Sequence, residues 1–167
     1  VLINTAGFLQ SQSEQTGEQS SQQVTNRLDA VAVTGTVKDT AATSSGKSIE
    51  EINLTVKKAP GAEDIDLQNV TIQWIGPEGA ETLTIDTVND GNADFNTSVI
   101  KDADGSSPVL NDPDDRIDVG INTTQAGLSP LEAGETATLT ITTAAGGTTE
   151  VRIQVPQSLS GEQAVEL

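Results

Sequence analysis

Residues 69–74 read NVTIQW, and residues 52–56 read INLTV. In the first stretch Val70, Ile72 and Trp74 alternate with Asn69, Thr71 and Gln73; in the second Ile52, Leu54 and Val56 alternate with Asn53 and Thr55. Successive side chains of a strand point to opposite faces, so this period of two marks strands with one face buried and one in water. The pattern recurs at Leu83 and Ile85, at Phe95, Thr97 and Val99, and at Ile117, Val119 and Ile121. It returns at Ala137, Leu139 and Ile141 and at Val151, Ile153 and Val155, and DAVAVTGTV (29–37) supplies an earlier strand. About eight short, half-buried strands are expected.

The stretches between them carry turn chemistry: APGAED, GPEGAE, NDGNAD, DADGSSP, NDPDD and AAGG. Glycine supplies positive φ, proline presets φ, and Asn and Asp bond their own backbone. AAGG joins two alternating runs and reads as a hairpin turn. Strands at this spacing predict an antiparallel immunoglobulin-like β-sandwich over residues 28–156, with 157–167 as a C-terminal tail. With only one Trp and two Phe in 167 residues, the core has to be Val, Ile, Leu and Thr packed around Trp74 and Phe95.

Charge narrows the function. There are 25 acidic against 8 basic residues, a formal charge of −17. No basic patch exists to neutralise phosphates, so nucleic acid is excluded as a partner, as is charge-driven binding to anionic membranes. The acidity suits a halophile, because salt at about 1 M shortens the Debye length to about 3 Å and quenches self-repulsion. The chain has no Cys, His, Met or Tyr, which removes disulfides, thiolate nucleophiles, Cys/His zinc sites and Ser-His-Asp triads. With so few aromatic and basic residues, nothing marks an active-site cleft. The chain reads as a non-enzyme with no small-molecule substrate and no required cofactor.

The N-terminus follows another rule. VLINTAGFL places Val1, Leu2, Ile3, Ala6, Phe8 and Leu9 on every face of a helix, and residues 10–23 then hold no apolar side chain. A helix over residues 1–27 is expected, about 40 Å long at 1.5 Å per residue. An all-round apolar helix needs apolar surroundings, either a membrane or a bundle of like helices.

VLINTAGFLQSQSEQTGEQSSQQVTNRL, with TGTV at 34–37, resembles the N-terminal region of haloarchaeal archaellins, the archaeal flagellins, which belong to the type IV pilin-like superfamily. The resemblance implies an α+β plan. An N-terminal α-helical stalk (1–27), the end of a truncated core helix, packs in a filament core, and the β-sandwich outside faces the medium. It implies a secreted structural subunit of the archaellum, a homo-polymer with itself or sibling archaellins, at the cell surface and driving swimming. Val1, Leu2, Ile3, Phe8 and Leu9 would face neighbouring helices. The family's glycine-led mature N-terminus and a further apolar run would precede Val1, holding the subunit in the membrane before assembly. The alternative is a pilin-like or immunoglobulin-like adhesion subunit on the same plan.

Two kinds of site remain. Four N-x-S/T sequons stand at Asn53, Asn69, Asn96 and Asn122; such a sequon is an N-glycosylation acceptor in a secreted protein. Asn53, Asn69 and Asn96 lie opposite inward apolar sets, so their side chains should reach solvent, and the resemblance adds that such filaments are commonly glycosylated. Two acidic loops offer oxygen ligands for Ca²⁺ or Mg²⁺. On an EF-hand frame Asp86, Asp90, Gly91 and Asp94 take ligand or turn positions, but Val88 and Thr97 stand where two ligands belong. The second loop holds Asp102, Asp104, Asn111, Asp112, Asp114, Asp115 and Asp118. The competing reading of both is a solvated acidic turn.

Overall fold

The structure, a computed structural model, describes residues 26–39, 46–86 and 93–167. The helix expected over 1–27 therefore lies, but for Asn26 and Arg27, outside the described residues. Eleven strands follow in the described chain: β1 (Leu28–Asp39), β2 (Lys47–Lys58), β3 (Ile65–Asp66), β4 (Thr71–Gly76), β5 (Gly79–Ile85), β6 (Asp94–Lys101), β7 (Val109–Leu110), β8 (Arg116–Asn122), β9 (Thr136–Thr142), β10 (Thr148–Gln154) and β11 (Ala164–Glu166). One 3-10 turn, Leu67–Asn69, precedes β4.

The long strands run in one hydrogen-bonded order, β10-β9-β4-β5-β6-β8-β2-β1-β11. That order folds into two leaves, β5-β4-β9-β10 and β6-β8-β2-β1-β11. They meet where Thr84 and Ile85 of β5 pair with Asp94 and Phe95 of β6. This two-residue link is parallel, and every other ladder among the described strands is antiparallel. The result is a β-sandwich whose leaves share one core.

Alternation decides what that core contains. Ile52, Leu54 and Val56 of β2, Ile72 and Trp74 of β4, Ile117, Val119 and Ile121 of β8, Leu139 and Ile141 of β9, and Val151 and Ile153 of β10 are all buried. Phe95 and Trp74, at 1% and 2% exposure, are the largest side chains in it. Full burial of each such residue contributes about 1.5–3 kcal/mol. The AAGG hairpin also forms: Thr142 pairs with Thr148, and Gly146 takes φ 87° at the turn.

Some elements depart from the expectation. β3 and β7 pair with each other over two residues, too short to show a period. Residues 164–166, expected within a tail, pair with Thr34–Thr36 of β1. The chain end is tied down by bonds from Leu167 N to Val33 O (3.0 Å) and from Val37 N to Gln163 O (2.8 Å). Gly35 makes room for it: a Cβ there would lie 2.7 Å from Leu167 Cδ1. Val99, expected to face inward with Phe95, is 50% exposed, and Ile100 is 59% exposed. Past Phe95 the strand has no partner on its far side among the described residues, and its ladder with β8 slips between Val99 and Lys101.

These positions separate in a stability measurement. Phe95→Ala should cost about 3–5 kcal/mol, as a large buried aromatic does. Val99→Ala should stay within about 0.5 kcal/mol. Denaturant unfolding of both variants at constant high salt checks the pair, and comparable losses would put Val99 in the core after all.

Candidate functional site

The outward faces of β2, β8 and β6 hold three of the four sequons. Alternation that turns Ile52 and Leu54 inward turns Asn53 outward, and the same rule sets Asn96 beside Phe95 and Asn122 beside Ile121. Asn96 and Asn122 are exposed, while Asn53, on a strand flanked by β1 and β8, is half-buried. Asn53 and Asn96 both stand in register with Gly120, one on each side of β8. One row away, Thr55 and Ser98, the hydroxyl residues of those sequons, stand either side of Asp118, and Thr55 Oγ1 donates to Asp118 Oδ1.

Asn122 begins the chain's exit from β8. Its Oδ1 accepts from Thr124 N at 2.9 Å and from Thr124 Oγ1 at 2.6 Å, closing a turn in which amide and sequon hydroxyl already touch. Thr123 between them is buried and donates through Oγ1 to Ile49 O at 2.9 Å. Asn69 is exposed but elsewhere, in the 3-10 turn. Its Nδ2 donates to Asp66 Oδ2 at 3.0 Å, and Asp66 Oδ1 accepts from Gln68 N at 2.9 Å as the N-cap of that turn.

In the second acidic loop the carboxylates of Asp102, Asp104, Asp114 and Asp115 bond to nearby backbone and side-chain groups. Asp102 Oδ1 accepts from Gly105 N at 2.8 Å and its Oδ2 accepts from Ser107 N at 2.8 Å. Asp104 Oδ2 accepts from Asn111 Nδ2 at 2.7 Å. Asp115, buried, accepts from the backbone N–H of Asn111 and Asp112. Asp114 is exposed and pairs with Lys101 at 3.3 Å, and Asp112 is exposed. Among the described residues no three carboxylates form a metal-binding group. In the other loop Asp90 lies outside the described residues. Asp86 N donates to Phe95 O, and Asp94 N donates to Gln125 Oε1 at 3.1 Å.

The hydrogen bond from Ser107 N, followed by those from Gly105 and Ser106, holds the Asp102 carboxyl below its ordinary value against the opposing pull of desolvation. A carboxylate favoured in the folded state contributes stability above the unfolded value and loses it as pH falls through the lower folded one. Asp102→Ala should therefore lower Tm by a constant amount near neutral pH. That difference should close as pH drops below the ordinary carboxylate range. A difference that persists unchanged in acid would assign the loss to packing.

A second feature escaped the sequence reading: the point where the N-terminal segment enters the sandwich. Three successive carbonyls are captured there. Asn26 O accepts from Thr143 Oγ1 at 2.7 Å, Arg27 O accepts from Ala59 N at 3.0 Å, and Leu28 O accepts from Thr149 Oγ1. Asn26, itself buried, accepts at Oδ1 from Glu63 N at 3.0 Å. Thr143 is held in turn by Gly147 N, which donates to its Oγ1 at 3.1 Å. A Cβ at Gly147 would stand 2.0 Å from Asn26 O, so only glycine lets the hairpin approach. The sequence held a hint in the doubled glycine of AAGG: Gly146 meets the turn's need for positive φ and leaves Gly147 without a local reason.

Thr143→Val keeps the shape of this anchor and removes its hydroxyl, leaving a buried carbonyl unpaired at a cost of about 1–3 kcal/mol. Gly147→Ala should cost at least as much, through backbone displacement. Hydrogen exchange at Ala59 and Gly147 should accelerate in both variants, and unchanged protection would mean that residues 26–28 do not depend on the hairpin.

Comparison with known proteins follows the same outline. The archaeal-type flagellin family profile matches residues 1–153. Flagellin B2 of Halobacterium salinarum is 42% identical over 167 residues, covering 100% of this chain and 83% of its own. Among solved structures, the crystal structure of archaeal flagellin FlaB1 from Methanocaldococcus jannaschii aligns with a TM-score of 0.69 at 18% identity, covering 84% of this chain and 95% of that one. The archaeal flagellum of Methanospirillum hungatei strain JF1 aligns with a TM-score of 0.61 at 21% identity, covering 100% of this chain and 87% of that one. At these identities the structures speak for the shared fold. The family rests on the sequence matches, which run from the apolar opening through the last long strand: this chain belongs to the archaeal-type flagellins.

Proposed function

We propose that the protein is a structural subunit of the archaellum filament, extracellular and polymeric, whose assembly through the N-terminal segment serves swimming. The observation that carries this is membership of the flagellin family across residues 1–153. In this reading residues 1–27 belong to the filament core as a helix, the sandwich beginning at Leu28 faces the medium, and an apolar run before Val1 holds the subunit in the membrane until assembly. Contacts that do not close on themselves generate helical filaments. Val1, Leu2, Ile3, Phe8 and Leu9 supply apolar surface for such contacts, worth roughly 25 cal/mol for each Å² removed from water.

The described structure suits the division of labour. An outer domain rotated through fluid has to follow its core segment, and the anchor at Asn26–Leu28 fastens the segment's exit to strands of both leaves. The acidic surface, with a chain charge of −17, keeps filaments apart at low salt, and the high salt that haloarchaeal relatives imply screens that repulsion. Exposed sequons at Asn69, Asn96 and Asn122, with Asn53 half-buried, support N-glycosylation of the exterior.

Aspartate at Phe8 or Leu9 in the native filament protein tests the reading. A charge in a helix–helix contact should stop filament growth while leaving the melting of the sandwich unchanged. Cells carrying either variant should stop swimming and still adhere. Normal filaments from both would place these residues outside the core, and lost adhesion with intact swimming would favour an attachment pilin.

A further inference from the structure

Gly120 has a neighbour on each side that carries an acceptor amide. A Cβ built on it would lie 2.4 Å from Asn96 Oδ1 and 3.4 Å from Asn53 Oδ1. Both amides thus turn their Oδ1 atoms onto the same buried glycine of β8, each from an adjacent strand. Neighbouring strands lie about 4.8 Å apart, so the two asparagine backbones are separated by roughly 10 Å with only glycine between them. The sequon hydroxyl residues Thr55 and Ser98 bracket Asp118 one row away in the same manner. Two sequons distant in the chain are therefore one feature of the surface.

We propose that Asn53 and Asn96 form a single glycan site that accepts one chain per subunit, with Asn96 as its carrier. The inference rests on the glycosylation reading above and goes beyond it by making the two sequons exclusive. Attachment joins the amide Nδ2 to the anomeric carbon of a phosphate-activated, lipid-linked sugar. The C1–O bond to the phosphate breaks, the phosphate leaves with that electron pair, and one Nδ2 proton is lost to a base of the transferase. Asn96 is exposed on β6, which beyond Phe95 has no strand on its far side among the described residues. Asn53 is half-buried between β1 and β8, and its sequon hydroxyl is engaged by Asp118. Gly120 is covered by the two Oδ1 atoms, and a first sugar on Asn96 Nδ2, with the Asn53 backbone roughly 10 Å away, closes the approach to Asn53 Nδ2.

The test is mass spectrometry of subunits from native filaments, with intact masses for the number of glycans and glycopeptides for their positions. Asn96 should be occupied and Asn53 bare. In Asn96→Gln, an exposed and conservative change, Asn53 should become occupied. In Gly120→Ala, whose Cβ crowds Asn96 more than Asn53, occupancy at Asn96 should fall; unchanged melting shows that the sandwich is intact. Subunits carrying sugar on both asparagines would overturn the proposal, as would an Asn53 that stays bare in Asn96→Gln. Sugar on Asn69 or Asn122 with neither member of the pair occupied would overturn it while leaving the glycosylation reading standing. No sugar on any of the four asparagines would overturn both.

Discussion

One constraint governs this molecule: a strand in a sandwich must bury every second side chain, and it has almost no aromatics with which to do so. Trp74 and Phe95 are held by aliphatic rows from both leaves, and each row needs strict alternation to stay inside. Alternation also assigns the outward set. The residue between Ile52 and Leu54 has to face water, and so does the one after Phe95; both are sequon asparagines. The outer face is thus a consequence of the core's register. A slip of one residue would bury the amides and expose the isoleucines together.

The anchor at Asn26–Leu28 follows from a different requirement. A backbone entering a sandwich brings carbonyls that strands have not yet claimed, and burying them unpaired would cost about 1–3 kcal/mol each. Here two threonine hydroxyls and one backbone N–H meet them in sequence. Because Thr143 and Thr149 flank the β9–β10 turn, the entry is tied to the leaf opposite β1. The chain's entry into β1 is therefore bonded to both leaves.

Much of this was legible in the sequence, and the limits have physical causes. INLTV, RIDVGIN and TATLTIT are long enough for period two to appear, and each became a strand with the expected face inward, as did TIQW, whereas Asn69 and Val70 before it fall in and beside the 3-10 turn. β3, β7 and β11 have two or three residues, which carry no period. Val99 was misjudged because alternation says which face a side chain takes and not how far the opposite leaf extends. Gly35, Gly120 and Gly147 each sit where another chain segment comes close, and closeness between distant residues leaves no local pattern. In the second acidic loop Asp102 and Asp115 hold backbone N–H groups, an arrangement that depends on how residues 102–115 fold back on themselves and that composition alone does not carry.

The distribution of charge ties these parts together. In a chain of net charge −17 the outward rows of β2 and β8 are balanced, with Glu51 and Asp118 set against Lys57 and Arg116. Over 51–57 of β2 and 116–122 of β8, the remaining positions of those rows are Asn53, Thr55, Gly120 and Asn122. Hydration of this face rests on amides and hydroxyls, whose attraction for water does not fade with salt as charge repulsion does. A carbohydrate layer there would add solvation that screening leaves intact, beside acidic loops whose repulsion it removes. Where salt screens charge repulsion, neutral hydrophilic surface of this kind keeps its hydration.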